Sequence, residues 1–465
     1  MPSTSTKPRR NPSFAAIGGL LVVAAGLFAG LGPLDDNSFL THLATGRLIV
    51  ERGSIPHHDP YTFTALGHAW VVQSWLVSLI YGLADRAAGA GGVLFVVSGT
   101  AAAVAFLIWL LTRPATTLVP RMFIAAVVVG VGVDFWLERP LLFGLAALGL
   151  ALLAAEGRLD PRWLVPTFWV WVNVHGSFPL GLAALVALLV GRRLDREDAS
   201  AEGGAVRWAV VGTLVGAVNP LGPRMLLFPF ELLARQDVLQ HVVEWQAPDF
   251  RGVSERVFLM EVAVAILALV RRPSWRAGVP LVLFTSAALI GSRNVVVASV
   301  VLVPGLAVGL GGLGSITGLE RRPAFRVLAI GLPVLMALGM LSRLGDPYPP
   351  DGYPVDAVAW LEDHDLTDRG SRLVTQDFVG NFLESRLGAR GIVFMDDRYD
   401  MFPTQVIDDY FVILRGRPGW DDVLDRYEPD AVLWQEEQPL AQLLRASSDW
   451  EVVYDEDGWL IAQPA

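Results

Sequence analysis

The chain of 465 residues contains no cysteine. That absence removes disulfides, thiolate catalysis, iron–sulfur clusters and cysteine zinc sites, while leaving the compartment open. Charge is scarce as well: 18% of residues are charged and 53% hydrophobic, with mean hydropathy +0.47. A soluble protein of this length needs more charge to cover its surface. Lysine is nearly absent, so arginine supplies almost all the positive charge. No internal repeat is evident, which argues against architectures built from duplicated halves.

What the chain has instead is long apolar runs. Phe14 to Pro33 and Ala87 to Thr112 are uncharged, each long enough to cross a hydrocarbon core of ~30 Å at about 1.5 Å per residue. A signal peptide would be shorter and followed by a small-residue cleavage pattern. Spans are predicted near 14–33, 71–86, 92–112, 120–136, 140–156, 163–175, 177–191, 206–220, 257–270, 277–291, 295–312 and 326–342. Arginine and lysine mark cytoplasmic loops. Lys7, Arg9 and Arg10, then Arg192, Arg193 and Arg196, then Arg271, Arg272 and Arg276, then Arg321, Arg322 and Arg326 form four such clusters. Placing all four inside puts loops 34–70, 219–256 and 292–294 outside, with everything after 343. Seven candidate spans then lie between the first two clusters, where an even number is required. The pair 163–175 and 177–191, interrupted at His175-Gly176, is the suspected half-length element, because irregular backbone at depth survives only beside a protein-lined cavity.

Charge also divides the chain. Residues 1–345 carry 27 basic and 20 acidic side chains, and residues 346–465 carry 9 and 26. An acidic tail disfavours nucleic acid and anionic membrane surfaces as partners. It alternates helix and strand patterns: 357–364, then strands at 372–378, 391–397 and 430–435, then a hairpin over 450–463 turning at Asp457-Gly458. The tail has no glycine-rich phosphate loop and no nucleophile elbow, and reads as a docking or regulatory domain. The expected fold is mainly α: a polytopic transmembrane helical bundle of about 11–12 spans with a small C-terminal α/β extracytoplasmic domain. Its parts are a cytoplasmic tail at 1–13, the membrane domain at 14–342 with external loop 34–70, and the acidic domain at 343–465.

The first external loop, Leu34 to Trp70, is longer than a connector needs and dense in ionisable groups. Asp35 and Asp36 stand at the membrane exit of the first span. Two adjacent carboxylates at the rim of an apolar cavity suit a general base or a divalent-cation ligand; Asp is equally a favoured helix N-cap. His42 and Arg47 follow on an expected interfacial helix. His57 and His58 are either site or solvated loop residues, and Asp59-Pro60 is also a turn signal. Farther on, Arg139 is suited to grip a phosphate bidentately or to snorkel. Asn173 and His175 sit among tryptophans where polar groups are costly, and either line a site or bond across helices. Glu244-Trp245 pairs a carboxylate with an aromatic, as in sugar sites, although interfacial tryptophan anchors are commoner. Arg293 breaks the positive-inside trend and is a phosphate candidate. Asp396-Asp397-Arg398 reads as a structural ion-pair cluster.

The Asp pair, His42, Gly46-Arg47, the Pro56-to-Asp59 step and the Trp-rich helix that follows resemble membrane glycosyltransferases of the GT-C fold. These include oligosaccharyltransferase catalytic subunits and polyprenyl-phosphate-dependent mannosyl- and aminoarabinosyl-transferases. WVNVHGSFPLG (171–181), NPLGPRMLLFPFE (219–231), VVEWQAPDF (242–250) and MDDRYDMF (395–402) resemble signatures of a group of bacterial membrane proteins. The GT-C resemblance implies an essential acidic residue in the first external loop and a lipid-phosphate-linked sugar donor. The chain lacks the WWDYG-type motif that reads peptide acceptors in oligosaccharyltransferases, which argues against protein N-glycosylation.

The reading is a membrane glycosyltransferase of the cell envelope. It takes a polyprenyl-phosphate sugar as donor, a glycan, lipid or protein as acceptor, and no cofactor beyond a divalent cation that the carboxylates would admit. Asp36, with Asp35 as alternate, serves the acceptor hydroxyl. Arg139 and Arg293 hold the donor phosphate, and His42, Asn173 and His175 line the cavity. The rivals are a transporter of lipid or polysaccharide and a non-catalytic assembly scaffold.

Overall fold

The computed structural model describes residues 14–235, 242–314, 331, 336, 338–340, 348 and 352–465. The N-terminal basic cluster, the Arg321–Arg326 cluster, most of the predicted span 326–342 and the boundary at Arg343 lie outside these residues. Helices α1 (Phe14–Ala29), α2 (Asn37–Arg52), α3 (Trp75–Leu111), α4 (Leu118–Gly132), α5 (Leu141–Ala155), α6 (Leu164–Val174) and α7 (Phe178–Leu194) come first. α8 (Ser200–Val215), α9 (Arg224–Ala234), α10 (Val253–Arg271), α11 (Trp275–Ile290) and α12 (Asn294–Gly309) complete the bundle.

Glycine lets the helices approach closely. A Cβ on Gly26 of α1 would come within 2.5 Å of the Ala105 methyl of α3, and one on Gly30 within 2.7 Å of Ser98. α1 therefore lies antiparallel on the C-terminal part of α3, backbone close to backbone. At the other end of α3, a Cβ on Gly46 of α2 would stand 1.9 Å from the Ser78 carbonyl. Between these two contacts α3 kinks. Ala88 (φ −148°, ψ 20°) and Gly89 (φ 59°, ψ −151°) leave the helical region, and the Gly89 conformation is one only glycine adopts without strain.

That kink corrects the predicted span at 71–86. Residues 75–87 do not run through the bundle; they lie across its end against α2, where Asp85 pairs with Arg47 at 2.7 Å. The pair at 163–175 and 177–191 is broken as expected, His175 being extended (φ −162°, ψ 141°). Loops 30–36, 133–140, 175–177 and 291–293 meet at one end with residues 243–245, joined by the Asp36–Arg139, Arg139–Glu244 and His175–Arg293 contacts. By length and composition, one helical stretch, Trp75–Ala115, suffices to cross a membrane, and five further apolar helices are shorter. Phe95, Val218, Leu267, Val270, Val282 and Ile290 project outward from the bundle.

The tail contains α13 (Val355–Asp363), β1 (Leu373–Thr375), α14 (Asp377–Leu387), α15 (Thr404–Leu414), α16 (Trp420–Tyr427), β2 (Ala431–Gln435), α17 (Pro439–Ala446), β3 (Trp450–Glu456) and β4 (Trp459–Pro464). The sheet order is β1-β2-β4-β3, with β1 parallel to β2 and the other pairs antiparallel. Asp457 (φ 53°) and Gly458 (φ 80°) make the hairpin turn. The predicted strand at 391–397 forms only bridges: Val393 pairs with Leu373 on one side and Thr62 of the first loop on the other. That loop is laced into the tail. Phe63 N–H donates to the Val393 carbonyl at 2.9 Å, and Ala65 is fully buried in the tail's core.

Candidate active site

The loops at one end of the bundle, together with α2, enclose a cavity of about 310 Å³ lined by Ser38, His42, Gln73, Asp134, Arg139, His175, Glu244 and Arg293 among others. Five sequence-predicted residues meet there: His42, Arg139, His175, Glu244 and Arg293.

Asp36 occupies the N-cap position of α2, yet its side chain makes no capping hydrogen bond. The carboxylate instead turns to Arg139, whose Nε and Nη2 both donate to Oδ2 at 2.6 Å. The other oxygen, Oδ1, is buried without a hydrogen-bond partner among the described residues. The Asp36 backbone is fixed by its N–H donating to Glu138 Oε1 at 2.8 Å. Arg139 also pairs with Glu244, so one arginine ties the first loop to the second long loop. Asp35 is exposed, and its carbonyl accepts from the Tyr353 hydroxyl at 3.5 Å.

His42 lies one turn along α2, its Nδ1 3.1 Å from Ser78 Oγ. Burial lowers its pKa to about 4 against the opposing pull of Asp36, so the ring is neutral near pH 7. Glu138 is pushed up to about 7, chiefly by burial. Across the cavity the Ser177 N–H donates to His175 Nδ1 at 3.1 Å, which assigns the ring proton to Nε2. That Nε2 stands 3.3 Å from Arg293 Nη2. Neither group accepts from the other, so two donors face the same space. Arg293 also lies over the Trp245 ring at 4.6 Å, and no carboxylate pairs with it among the described residues. The Trp245 loop is anchored where the Arg293 N–H donates to the Glu244 carbonyl at 3.2 Å.

Other predicted residues are placed elsewhere. Arg47 is exposed and joins α2 to Asp85 and to the Ser385 carbonyl. His57 and His58 are exposed. Asp59 is buried, accepting from Thr62 N–H and Oγ1 and pairing with Arg398 at 2.7 Å. Asn173 bonds across helices, accepting from Trp75 Nε1 at 2.9 Å. Among the described residues no group of three or more His, Asp or Glu side chains stands ready for a metal ion.

Sequence reasoning missed Glu138, Ser38, Gln73 and Asp397. Glu138 adjoins Arg139, and a carboxylate at a helix junction was a readable signal. Asp397 was grouped with its neighbours as an ion-pair cluster. Asp396 and Arg398 do form one, but Asp397 departs to accept a hydrogen bond from Ser38 Oγ. Burial lifts its carboxyl to about 7.

No protein-family model and no curated protein sequence matches the chain. Solved structures do. The oligosaccharyltransferase of Archaeoglobus fulgidus in its apo form superposes with TM-score 0.63 at 12% identity, over 91% of this chain and 70% of that one. The same organism's oligosaccharyltransferase AglB, in complex with an inhibitory peptide and a dolichol-phosphate, gives TM-score 0.56 at 13% identity, over 90% and 69%. Arabinofuranosyltransferase AftD from Mycobacteria gives TM-score 0.53 at 13% identity; this chain is covered to 99% but spans only 40% of AftD. The chain has the GT-C-like fold: a helical bundle followed by a smaller domain with a sheet.

Proposed function

We propose that the chain is an integral-membrane glycosyltransferase that moves a sugar from a polyprenyl-phosphate-linked donor to an acceptor hydroxyl on the external face. The observation that carries this reading is the cavity itself. Two donors, Arg293 and His175, that lack an acceptor between them among the described residues line it, and Arg139 of the same wall grips Asp36, a carboxylate just behind it with one unspent buried oxygen.

The outward apolar side chains at Phe95, Val218, Val270 and Ile290 suit lipid contact. The basic clusters around Arg192 and Arg271 stand at the opposite end from the cavity, and the positive-inside rule supports an external cavity on that ground. The donor phosphate sits against Arg293, whose guanidinium supplies charge and whose His175 neighbour supplies an N–H. The acceptor hydroxyl donates to Asp36. Its oxygen bonds to the anomeric carbon as the bond from that carbon to the phosphate oxygen breaks. The electron pair leaves with the phosphate, and the proton passes to Asp36 Oδ1. Arg139 holds Oδ2 and so aims the free oxygen; pre-set orientation of this kind lowers barriers by removing entropy in advance. AglB has been captured with a dolichol-phosphate, and a lipid-phosphate donor here extends that property by fold likeness.

Asp36→Asn tests the reading in a deletion strain complemented in trans. The amide is isosteric but barely basic, and Asn caps helices about as well as Asp. Transfer, followed as the glycan or glycolipid lost in the deletion, should fall by on the order of 10²-fold or more at unchanged expression. Full complementation by this variant would leave Asp36 a structural residue and favour the scaffold.

A further inference from the structure

Beside the first cavity, between α2, residues 70–74 and the tail, lies a second one of about 160 Å³. It shares Ser38, His42, Gln73 and Ser74 with the first, so the two are contiguous. Ser74 Oγ and Arg398 Nη1, of two lining residues, are buried with no hydrogen-bond partner among the described residues; Ser74 is 2% exposed and Arg398 8%. The Gln73 carboxamide, at the junction, makes no side-chain hydrogen bond among the described residues. An unsatisfied buried polar group costs roughly 1–3 kcal/mol, so two of them around one space, with the half-buried Gln73 amide beside them, ask for a ligand with several polar groups.

The opposite wall supplies acceptors. Asp397 and Asp400 come from the tail, and Asp397 has one carboxylate oxygen taken by Ser38. Burial lifts these carboxyls to about 7 and about 6, so near neutral pH Asp397 is present both as a donor and as an acceptor while Asp400 mainly accepts. Sugar hydroxyls also do both. Trp70 adds one aromatic surface. At ~30 Å³ per water the space holds about five waters, which is the size of one monosaccharide ring. A lipid acceptor would need apolar walls throughout, and a peptide would need an open groove.

We propose that this second cavity is the acceptor subsite and that it takes a glycan, one sugar ring seated between α2 and the tail with a hydroxyl presented to Asp36. The inference rests on the transfer reading above and names its acceptor class. The tail thereby becomes half of a binding site, since Asp397 and Asp400 belong to it.

Full-length protein in detergent is titrated by tryptophan fluorescence and on an array with neutral oligosaccharides, and in parallel with short peptides and with a prenyl alcohol. The expected result is saturable binding of at least one oligosaccharide. Asp397→Asn and Gln73→Ala should each weaken it about tenfold, with melting temperatures close to wild type. Asp36→Asn should keep it within about twofold, so failed transfer chemistry and a failed subsite give different outcomes. If either subsite variant unfolds, Ser78→Ala at the cavity wall replaces it. Preference for peptide or prenyl alcohol, or oligosaccharide binding indifferent to all three subsite changes, overturns the proposal.

Discussion

Two arginines, Arg398 of the tail and Arg293 of the bundle's loop end, have opposite fates. Arg398 is 8% exposed and faces Asp396, Asp59 at 2.7 Å and Glu384 at 3.5 Å, with its guanidinium 4.3 Å from the Trp70 ring centre. Its charge is spent on three carboxylates, and those carboxylates come from the first loop and from two places in the tail. Arg293 has an aromatic face and a histidine but no carboxylate among the described residues. One charge builds the fold, and the other remains for an anion. Burying a cation without a counter-charge is costly, so a site that tolerates it is a site whose counter-charge arrives with the ligand.

The comparison breaks most readily at Arg398. Arg398→Gln leaves Asp59, Asp396 and Glu384 buried together, and removing one partner of a buried ion pair costs about 3–5 kcal/mol. The variant should lose its cooperative melting transition or accumulate poorly, as measured by fluorescence-detected size exclusion. A melting temperature within a few degrees of wild type would mean that the cluster is not what joins loop to tail.

The pH dependence sharpens the contrast less drastically. The Asp397 carboxyl is raised from the ordinary 3.8 to about 7 by burial, so folded protein holds its proton where unfolded protein has lost it. Its contribution is therefore fully present below about 4 and disappears as pH rises through 7. His42, lowered to about 4, acts in the opposite direction between 4 and 6.5. Asp397→Asn removes only the first effect, so its melting temperature relative to wild type should climb from pH 4 to 7 and then level. A flat difference would mean that Asp397 is solvated. The smallest effect belongs to Arg47, an exposed partner of Asp85: Arg47→Gln should change stability by no more than ~1 kcal/mol and leave transfer intact. A large loss of activity would return Arg47 to the site.

Much of this was legible before the structure. Apolar runs located the bundle helices, and the turn residues Asp457 and Gly458 located the hairpin. His42, Arg139, His175, Glu244 and Arg293 were named as site residues, and they line one cavity. The failures have physical causes. SWLVSLIYGLA (74–84) is as apolar as a span, and only the glycine contact of Gly46 with Gly82 and the Arg47–Asp85 pair reveal that it lies against α2. Both are tertiary facts without local signature. Likewise no sequence pattern tells which of Asp396 and Asp397 answers Arg398, because the choice depends on where Ser38 stands.

The central claim is that Arg293 is reserved for the phosphate of a lipid-linked donor. Full-length protein in nanodiscs is titrated with radiolabelled polyprenyl phosphate, comparing wild type with Arg293→Gln and Arg293→Lys. The account predicts saturable binding that Arg293→Gln weakens by about tenfold or more, since a charge-assisted bond is worth roughly 1.5–3 kcal/mol. Arg293→Lys should retain part of it, and all three proteins should melt alike. Equal affinity for wild type and Arg293→Gln would contradict the account.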